Sequence, residues 1–282
     1  MKGNGIFNFT VDLEPWPLEF STRWPSKVTE HAVQSSWTGA HNISSLLVEN
    51  NVRATFFVTA MMAQDHTAIL REIASAGHEI ASHGFSHIPL SSVSQSLLKQ
   101  EVTASARTLE AAAGRKVRGF RAPYCLIDIA AFDQLEKAGY LYDSSIVPTW
   151  VPGRYRRCSY PTSPYRPSRT DLGIRGDSSV IEIPLSVYPY FRLPIGWWWF
   201  RNLGANWTLY GARWLLKHEA PVVFNIHSWE ATDPPSAVEL PRHLTRRCGS
   251  KVLSMLLFLI KQLPKDNVEF VTSEQLAAMA SV

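Results

Sequence analysis

The chain has 282 residues, of which 45% are hydrophobic and 18% are charged, a balance that excludes the disordered, collagen-like and coiled-coil classes. This length suits one large domain or two small ones. Lysine and arginine exceed aspartate and glutamate by 28 to 24, which gives a formal net charge of +4. The electrostatic field of that charge over such a length is too weak to predict a nucleic-acid partner.

The cysteines, the N-terminal residues and the longest apolar run indicate the compartment in which we expect the protein. Cys125, Cys158 and Cys248 are odd in number and irregularly spaced, which predicts reduced thiols rather than a disulfide framework or a CxxC metal knuckle. Residues 1–11 lack the apolar stretch and cleavage site of a signal peptide, so we expect a cytoplasmic protein. The longest purely apolar run, residues 255–260, is far shorter than the roughly 20 residues needed to span a bilayer.

Strand-like and helix-like segments alternate along the chain. The first strand, at 6–11, is followed by prolines that forbid its continuation. Hydrophobic spacing predicts further strands and helices, several of the helices closed by glycine. The predicted strands are 54–58, 78–82, 117–120, 140–143, 180–183, 221–226 and 269–271, and the predicted helices are 41–50, 68–76, 95–113, 129–137, 207–219 and 250–262, the last strand and helix completing the chain.

This alternation favours a parallel sheet in a single α/β domain spanning residues 1–282, with no repeat and no domain boundary. The exception is a proline- and arginine-rich segment at about 148–178. It is too long for a simple connector, and loops of that size are usually functional or mobile.

Four polar clusters fall at predicted strand ends. In a parallel barrel the C-terminal ends of the strands share one face, so these clusters should meet. His83 and His87 are four residues apart, and with a carboxylate from another strand they would make a three-ligand set for a divalent cation that keeps one position open for water. The clusters are residues 12–14, 83–87, 121–124 and 227–230.

The same segments carry a family resemblance. Residues 12–14, 82–87, 119–123 and 225–227 resemble, in order, the motifs of the NodB-type polysaccharide deacetylases, carbohydrate esterase family 4. The resemblance implies a single-domain deformed (β/α) barrel. It also implies a metal-dependent hydrolase that removes N-acetyl groups from amino sugars in a glycan or glycan precursor.

The resemblance assigns roles to individual residues. Asp12 would be the general base, and Arg121 would keep it ionised, because a neighbouring guanidinium lowers a carboxylate pKa. His227 would be the general acid that protonates the leaving nitrogen. The acid that orients His227 is left open by the sequence. The candidates are Asp143, Glu182 and Glu230.

The metal site departs from the usual pattern of two adjacent aspartates. Here the first motif reads Asp12-Leu13-Glu14, similar to the branch of the family with a D-x-E first motif. Strand alternation puts residues 12 and 14 on one side, so Glu14 can join His83 and His87 as a ligand. We expect one divalent ion, zinc in first place, with cobalt, nickel and manganese as alternatives.

Aromatic residues near the motifs predict substrate contacts. We expect Tyr124 and Trp229 to stack on a sugar ring, since flat aromatic faces cover its apolar C–H groups. The four consecutive aromatic residues Trp197 to Phe200 cannot all face one core. We expect some of them to contact a membrane surface or a lipid-linked sugar, to lie in a homo-oligomer interface, or to close the barrel.

Two other functions stay open from the sequence. The same fold and site could hydrolyse another small amide or a formamide, including a lipid-linked sugar deformylase or a metal-independent amidohydrolase. A non-catalytic carbohydrate-binding protein is the second alternative. It would have no need of all the residues placed here at the strand ends.

Overall fold

A computed structural model describes residues 5–16, 26–151, 155–234, 240–263 and 267–280. Eight parallel strands form one curled sheet, and two short antiparallel strands form a separate hairpin. In chain order the strands are β1 (Gly5–Leu13), β2 (Thr55–Val58), β3 (Glu79–Ser82), β4 (Gly119–Phe120), β5 (Tyr142–Asp143), β6 (Trp150–Val151), β7 (Tyr155–Arg156), β8 (Ile181–Glu182), β9 (Val222–His227) and β10 (Val268–Val271).

Helices cover the sheet in a (β/α) arrangement, which confirms the predicted fold class. They are α1 (Ser26–Glu49), α2 (Ala60–Ala63), α3 (Thr67–Ser75), α4 (Gln95–Ala113), α5 (Ile129–Ala138), α6 (Trp197–Leu203), α7 (Ala205–Lys217), α8 (Arg242–Thr245), α9 (Ser250–Gln262) and α10 (Ser273–Ala280). None of the helices in the described ranges is both long and apolar enough to cross a bilayer.

Strand β1 is the centre of the sheet. It pairs with β9 along residues 7–12, with β10 along 5–8 and with β2 along 10–13. From β2 the sheet continues through β3, β4 and β5 to β8. Because all these strands are parallel, their C-terminal ends lie at one edge, where the predicted motifs begin.

Alternation along β1 separates the core from the site. Phe7, Phe9, Val11 and Leu13 lie in the large apolar cluster shared with the helices. Side chains in a strand alternate between faces, so Asn8, Thr10 and Asp12 point to the opposite side, the barrel interior. These residues are also buried, and each makes hydrogen bonds to side chains or carbonyls there.

Helix α1 begins much earlier than the predicted 41–50. Its first half is rich in Ser, Thr and Val, which are weak helix formers, so propensity gave little signal. Tertiary packing supplies the stability instead. At Gly39, an added Cβ would lie 2.0 Å from the carbonyl oxygen of Ser228, so the absence of a side chain lets α1 pack directly against the backbone that follows β9.

The other predicted elements agree with the structure to within two residues at each end, although the short helices α2 and α8 were not predicted. Helices α4 and α9 have the predicted bounds, and Gly114 and Gly139 close α4 and α5 with φ of 68° and 79°. Helix α6 was not predicted. Helix α10 follows β10, so the prediction that the last strand completes the chain is wrong. The long segment at 148–178 contains the β6–β7 hairpin, and its residues 152–154 lie outside the described ranges.

Candidate active site

The central strand pair places two of the predicted catalytic residues side by side. Asp12 on β1 is the register partner of His227 on β9. Both are buried residues at the C-terminal edge of the sheet, and both line one cavity. The predicted base and acid are therefore brought together by the backbone pairing itself.

Both oxygens of Asp12 accept hydrogen bonds. Arg121 Nη1 donates to Oδ1 at 2.6 Å, and Asn225 Nδ2 donates to Oδ2 at 2.9 Å. Burial raises the pKa of Asp12, but the positive charge of Arg121, with smaller contributions from His83 and His227, outweighs burial and lowers it below its usual value. Asp12 is thus kept as a carboxylate able to accept a proton.

Arg121 is fully buried and held on all sides. Its Nε donates to the carbonyl of Ser144 at 2.8 Å, its Nη2 donates to the hydroxyl of the same residue at 2.9 Å, and its guanidinium lies 4.0 Å from the ring centre of Phe57. Nη1 also donates to Thr10 Oγ1 at 3.0 Å and to Asn225 Oδ1 at 2.9 Å. This fixed position makes Arg121 a permanent counter-charge for Asp12.

Glu14, His83 and His87 form the candidate metal group. Glu14 Oε2 lies 3.3 Å from His83 Nε2 and 2.6 Å from His87 Nε2. One ligand atom from each of the three residues lies within 4.8 Å of the others. Two imidazole nitrogens and one carboxylate oxygen are a donor set that suits zinc and similar divalent ions.

The hydrogen bonding of His83 fits a ligand role. Its Nδ1 lies 2.8 Å from the carbonyl oxygen of Arg121. A carbonyl can only accept, so Nδ1 carries a proton, and Nε2 is the ring nitrogen that faces Glu14. Burial raises the pKa of Glu14, but the charges of His87 and His227 and the hydrogen bonds of His83 and His87 lower it well below its usual value, so the carboxylate is ionised.

Of the three acids left open by the sequence, Glu230 orients His227. Its Oε1 lies 2.8 Å from His227 Nδ1, and Arg201 Nε lies 3.0 Å from its Oε2. The other two candidates face each other instead, since Asp143 on β5 is the register partner of Glu182 on β8.

Glu230 directs the other ring nitrogen of His227 into the site. Nε2 lies 3.5 Å from Glu14 Oε1. Burial lowers the pKa of His227, but the negative charges of Glu14, Glu230 and Asp12, together with the Glu230 hydrogen bond, outweigh it and raise the pKa above its usual value. The raised pKa favours the protonated ring, which is the form that the predicted acid requires.

Trp229 and Tyr124, the predicted substrate-binding residues, both line the cavity. Trp229 is buried and stacks on the ring of His227 at 5.1 Å between centres, and its Nε1 lies 3.3 Å from Glu14 Oε1. Tyr124 is half-buried, and its ring lies 4.9 Å from that of His87. Trp229 therefore contacts the acid and the carboxylate, while Tyr124 contacts the ring of His87 at the same cavity.

Backbone strain gathers around the same cavity. His87, Tyr124, Cys125 and Trp197 have φ of 60°, 60°, 54° and 62°, in the left-handed region that residues other than glycine rarely adopt. Such conformations cost of order 1–3 kcal/mol each and persist where surrounding contacts hold them, often at functional sites. The strain marks the same edge of the sheet as the charged residues.

The cavity has a volume of about 730 Å³. Its lining brings together Asp12, Glu14, His83 and His227, while Arg121 lies behind Asp12. On the other side the wall is aromatic. It includes Tyr155, Trp197, Trp198 and Trp199, with Arg201 at its base.

Sequence reasoning missed two site residues. Asn225 lies two residues before His227, so alternation along β9 could have placed it beside Asp12. Arg201 follows the tryptophan run as a single cation in an apolar segment, and a buried charge of that kind usually pairs with an acid.

Comparison with known proteins agrees with this geometry. The model of the polysaccharide deacetylase family, described as "Polysaccharide deacetylase", matches residues 35–142, a span that includes His83, His87 and Arg121. This segment of the chain is therefore similar to the polysaccharide deacetylase family.

Curated relatives match the chain over short stretches. A chitooligosaccharide deacetylase of Sinorhizobium fredii is 34% identical over 83 residues, which are 29% of this chain and 39% of the relative. A peptidoglycan-N-acetylglucosamine deacetylase of Bacillus cereus is 32% identical over 78 residues, 28% of each protein. The alignments thus span well under half of the length of these relatives.

Solved structures match nearly the whole fold. A putative polysaccharide deacetylase from Mycobacterium smegmatis has a TM-score of 0.71 at 21% identity, covering 99% of this chain and 91% of that one. A structure described as Puue allantoinase has a TM-score of 0.69 at 16% identity, covering 97% and 89%. At these identities the likeness shows the fold alone.

The contact between Glu230 and His227 predicts a change in pH dependence. In Glu230→Gln, the amide oxygen can still accept from Nδ1, but the negative charge is lost, so the pKa of His227 should fall. Because the acid must be protonated, activity should be lost at lower pH than in the wild type. We expect the alkaline limb of kcat against pH to move down by about one pH unit, since a hydrogen bond to a charged group contributes roughly 1.5–3 kcal/mol. An unmoved limb would remove Glu230 from the environment of the acid.

Proposed function

We propose that this protein is a metal-dependent hydrolase that removes N-acetyl groups from amino sugars in a glycan or glycan precursor. The observation that carries the proposal is that Asp12 and His227, a carboxylate and a protonated imidazole at paired positions, line one cavity with Glu14 and His83. Amide hydrolysis needs a base for water and an acid for the leaving nitrogen on either side of one carbonyl.

Glu14, His83 and His87 would hold the divalent ion, with zinc in first place. Their donor set fits such an ion, as the convergence of the ligand atoms and the Nδ1 contact of His83 indicate. When bound, the ion would supply Lewis-acid activation for amide hydrolysis.

The residues of this chain supply the proton transfers. Asp12, ionised through Arg121, takes a proton from the attacking water, whose oxygen bonds to the carbonyl carbon. His227 gives the proton on Nε2 to the nitrogen as the C–N bond breaks, so that acetate and a free amine leave the site. Glu230 holds Nδ1 throughout, which keeps the imidazole aimed at the nitrogen.

The relatives support the substrate class. They include a chitooligosaccharide deacetylase and a peptidoglycan-N-acetylglucosamine deacetylase. Both names describe removal of an acetyl group from an N-acetylated sugar. We bring that class to this chain because the matched span includes two of the candidate ligands and the arginine beside the base.

Amine and acetate release from a panel of N-acetylated sugars tests the proposal. We expect release from at least one N-acetylhexosamine derivative, loss of that activity after chelation, and recovery on adding zinc or cobalt. A mock preparation from cells that do not express the protein, purified in the same way, serves as the blank for contaminating activity. Full activity in metal-free protein would support a metal-independent amide hydrolase instead, and acetate release equal to the blank would reject the deacetylase.

A further inference from the structure

Beyond its charged end, the cavity is lined mainly by aromatic and aliphatic side chains. Its volume of about 730 Å³ lies within the range of about 300–1,000 Å³ of pockets that take drug-sized ligands. The apolar part of the lining includes Tyr155, Trp197, Trp198, Trp199, Pro241 and Leu244. We call these six residues the aromatic wall.

The aromatic wall lies on the side of the acid. The ring of Trp197 is 5.7 Å from that of His227 and 6.4 Å from that of Tyr155. Further along, Trp198 lies 5.2 Å from Trp199. Because His227 protonates the leaving nitrogen, groups attached to the amine-bearing fragment are the ones that reach this wall.

Helix α6 holds the wall in place before any ligand arrives. Phe200 is buried against Phe224, with ring centres 5.2 Å apart, and Arg201 is buried and paired with Glu230. Trp197, Trp198 and Trp199 are half-buried and line the cavity. A preformed apolar wall avoids the ordering cost that a flexible one would carry on binding.

Two polar groups near the wall are already engaged, while the ring of His243 lies 6.5 Å from that of Trp198 and also lines the cavity. The hydroxyl of Tyr155 donates to the carbonyl of Tyr124 at 2.8 Å. Arg201 Nη1 donates to the carbonyls of Leu244 and Arg246 at 2.9 and 3.0 Å. Sugar hydroxyls lose affinity when buried without partners, whereas each buried methylene gains about fourfold in binding. Aromatic faces can cover the C–H groups of a sugar, but the wall offers few partners for its hydroxyls, so it favours an apolar chain over a second sugar.

We propose that the substrate is an N-acetylated amino sugar whose amine-bearing fragment carries an apolar chain, and that the aromatic wall seats the first part of that chain. The inference rests on the proposed function. It adds that the sugar is presented as the glycoside of a lipid-like alcohol rather than within a long glycan.

Glycosides of N-acetylglucosamine that differ only in the aglycone test this. We expect kcat/KM for the octyl glycoside to exceed that for the methyl glycoside by about tenfold or more, mainly through KM. A geranyl glycoside distinguishes an isoprenoid from a linear chain. A gain in kcat/KM over the methyl glycoside with either chain supports the inference that the aromatic wall binds it. A gain no larger than about twofold, or a larger gain with tetra-N-acetylchitotetraose than with either chain, would overturn the inference.

Substitutions in the aromatic wall test whether the apolar chain binds there. Trp198→Ala and Leu244→Ala should each bring the octyl-to-methyl ratio of kcat/KM close to one. Tyr210→Ala removes a 63% exposed aromatic on α7 that does not line the cavity, so the ratio should stay at the wild-type value. A wild-type ratio in both wall variants would place the chain elsewhere.

A binding measurement separates this inference from the proposed function. In the Asp12→Asn protein, the octyl glycoside should bind at least about tenfold more tightly than the methyl glycoside in a calorimetric titration below the micelle concentration. If neither glycoside is deacetylated by the wild type but this difference remains, the deacetylase proposal fails and the aromatic wall stands. If both glycosides are deacetylated with equal kcat/KM and bind equally, the deacetylase proposal stands and the inference about the aromatic wall fails.

Discussion

Replacing Asp12 with asparagine is expected to lower kcat by roughly 10²–10⁴, the range typical of losing a general base. The amide has nearly the same shape but cannot accept the water proton. Arg121 keeps acceptors on Thr10, Ser144 and Asn225, so we expect the variant to fold, with a lower Tm because one buried charge loses its partner. Initial rates at saturating substrate, with circular dichroism and Tm on the same samples, give the answer.

Asp128→Asn is the matched control for that change. Asp128 caps helix α5 by accepting from the backbone N–H of Ala131 at 2.8 Å and does not line the cavity. Asparagine can also cap a helix, so kcat should stay at the wild-type value. A kcat for Asp12→Asn within tenfold of the wild type would mean that another group takes the proton, and the base would have to be sought elsewhere in the cavity.

Asp12, Arg121 and His227 could be assigned to the site from the sequence because the ends of strands can be predicted from one sequence. Alternation in β1 fixes the face of residue 12, and the parallel arrangement predicted from alternating strands and helices brings strand ends to one edge. The structure adds the register between strands and the distances between side chains, which the spacing of residues in the sequence does not contain. It shows that Asp12 and His227 are register partners and that Arg121 lies 2.6 Å from Asp12.

The acid that orients His227 could not be chosen from the sequence. Asp143, Glu182 and Glu230 all follow or lie in predicted strands. The choice depends on the turn after β9, where residues 228–231 form a short 3₁₀ helix that returns the side chain of Glu230 to His227. A turn of this kind has no hydrophobic period.

Helix α6 was missed for a related reason. It is only seven residues long, lies between Gly196 and Gly204, and begins at a residue with positive φ. Its aromatic residues carry no 3.6-residue alternation with polar ones, so periodicity could not separate helix from strand. Burial of Arg201 against Glu230 defines it in the folded protein, and that contact joins residues 29 apart in sequence.

Removing either histidine of the candidate metal group is the other change with a large expected effect. His83→Ala and His87→Ala should each weaken binding of zinc by more than about 100-fold, because two remaining ligands hold an ion poorly, and deacetylation should fall with the loss of the ion. Metal content after dialysis, measured by mass spectrometry, is the readout, so the result does not depend on knowing the substrate. Glu14→Gln should weaken zinc as well, since the amide oxygen carries no negative charge.

Two controls distinguish loss of a ligand from collapse of the site. His41 lies in a surface pair with Glu72 at 3.4 Å, so His41→Ala removes a histidine paired with a glutamate but should keep one ion per chain. Glu230→Gln alters the acid without touching the three ligands and should also keep the ion. Stoichiometric zinc in Glu14→Gln would leave His83 and His87 as the only protein ligands among the three. In that case the charge of Glu14 would act on His227, whose Nε2 lies 3.5 Å from Glu14 Oε1.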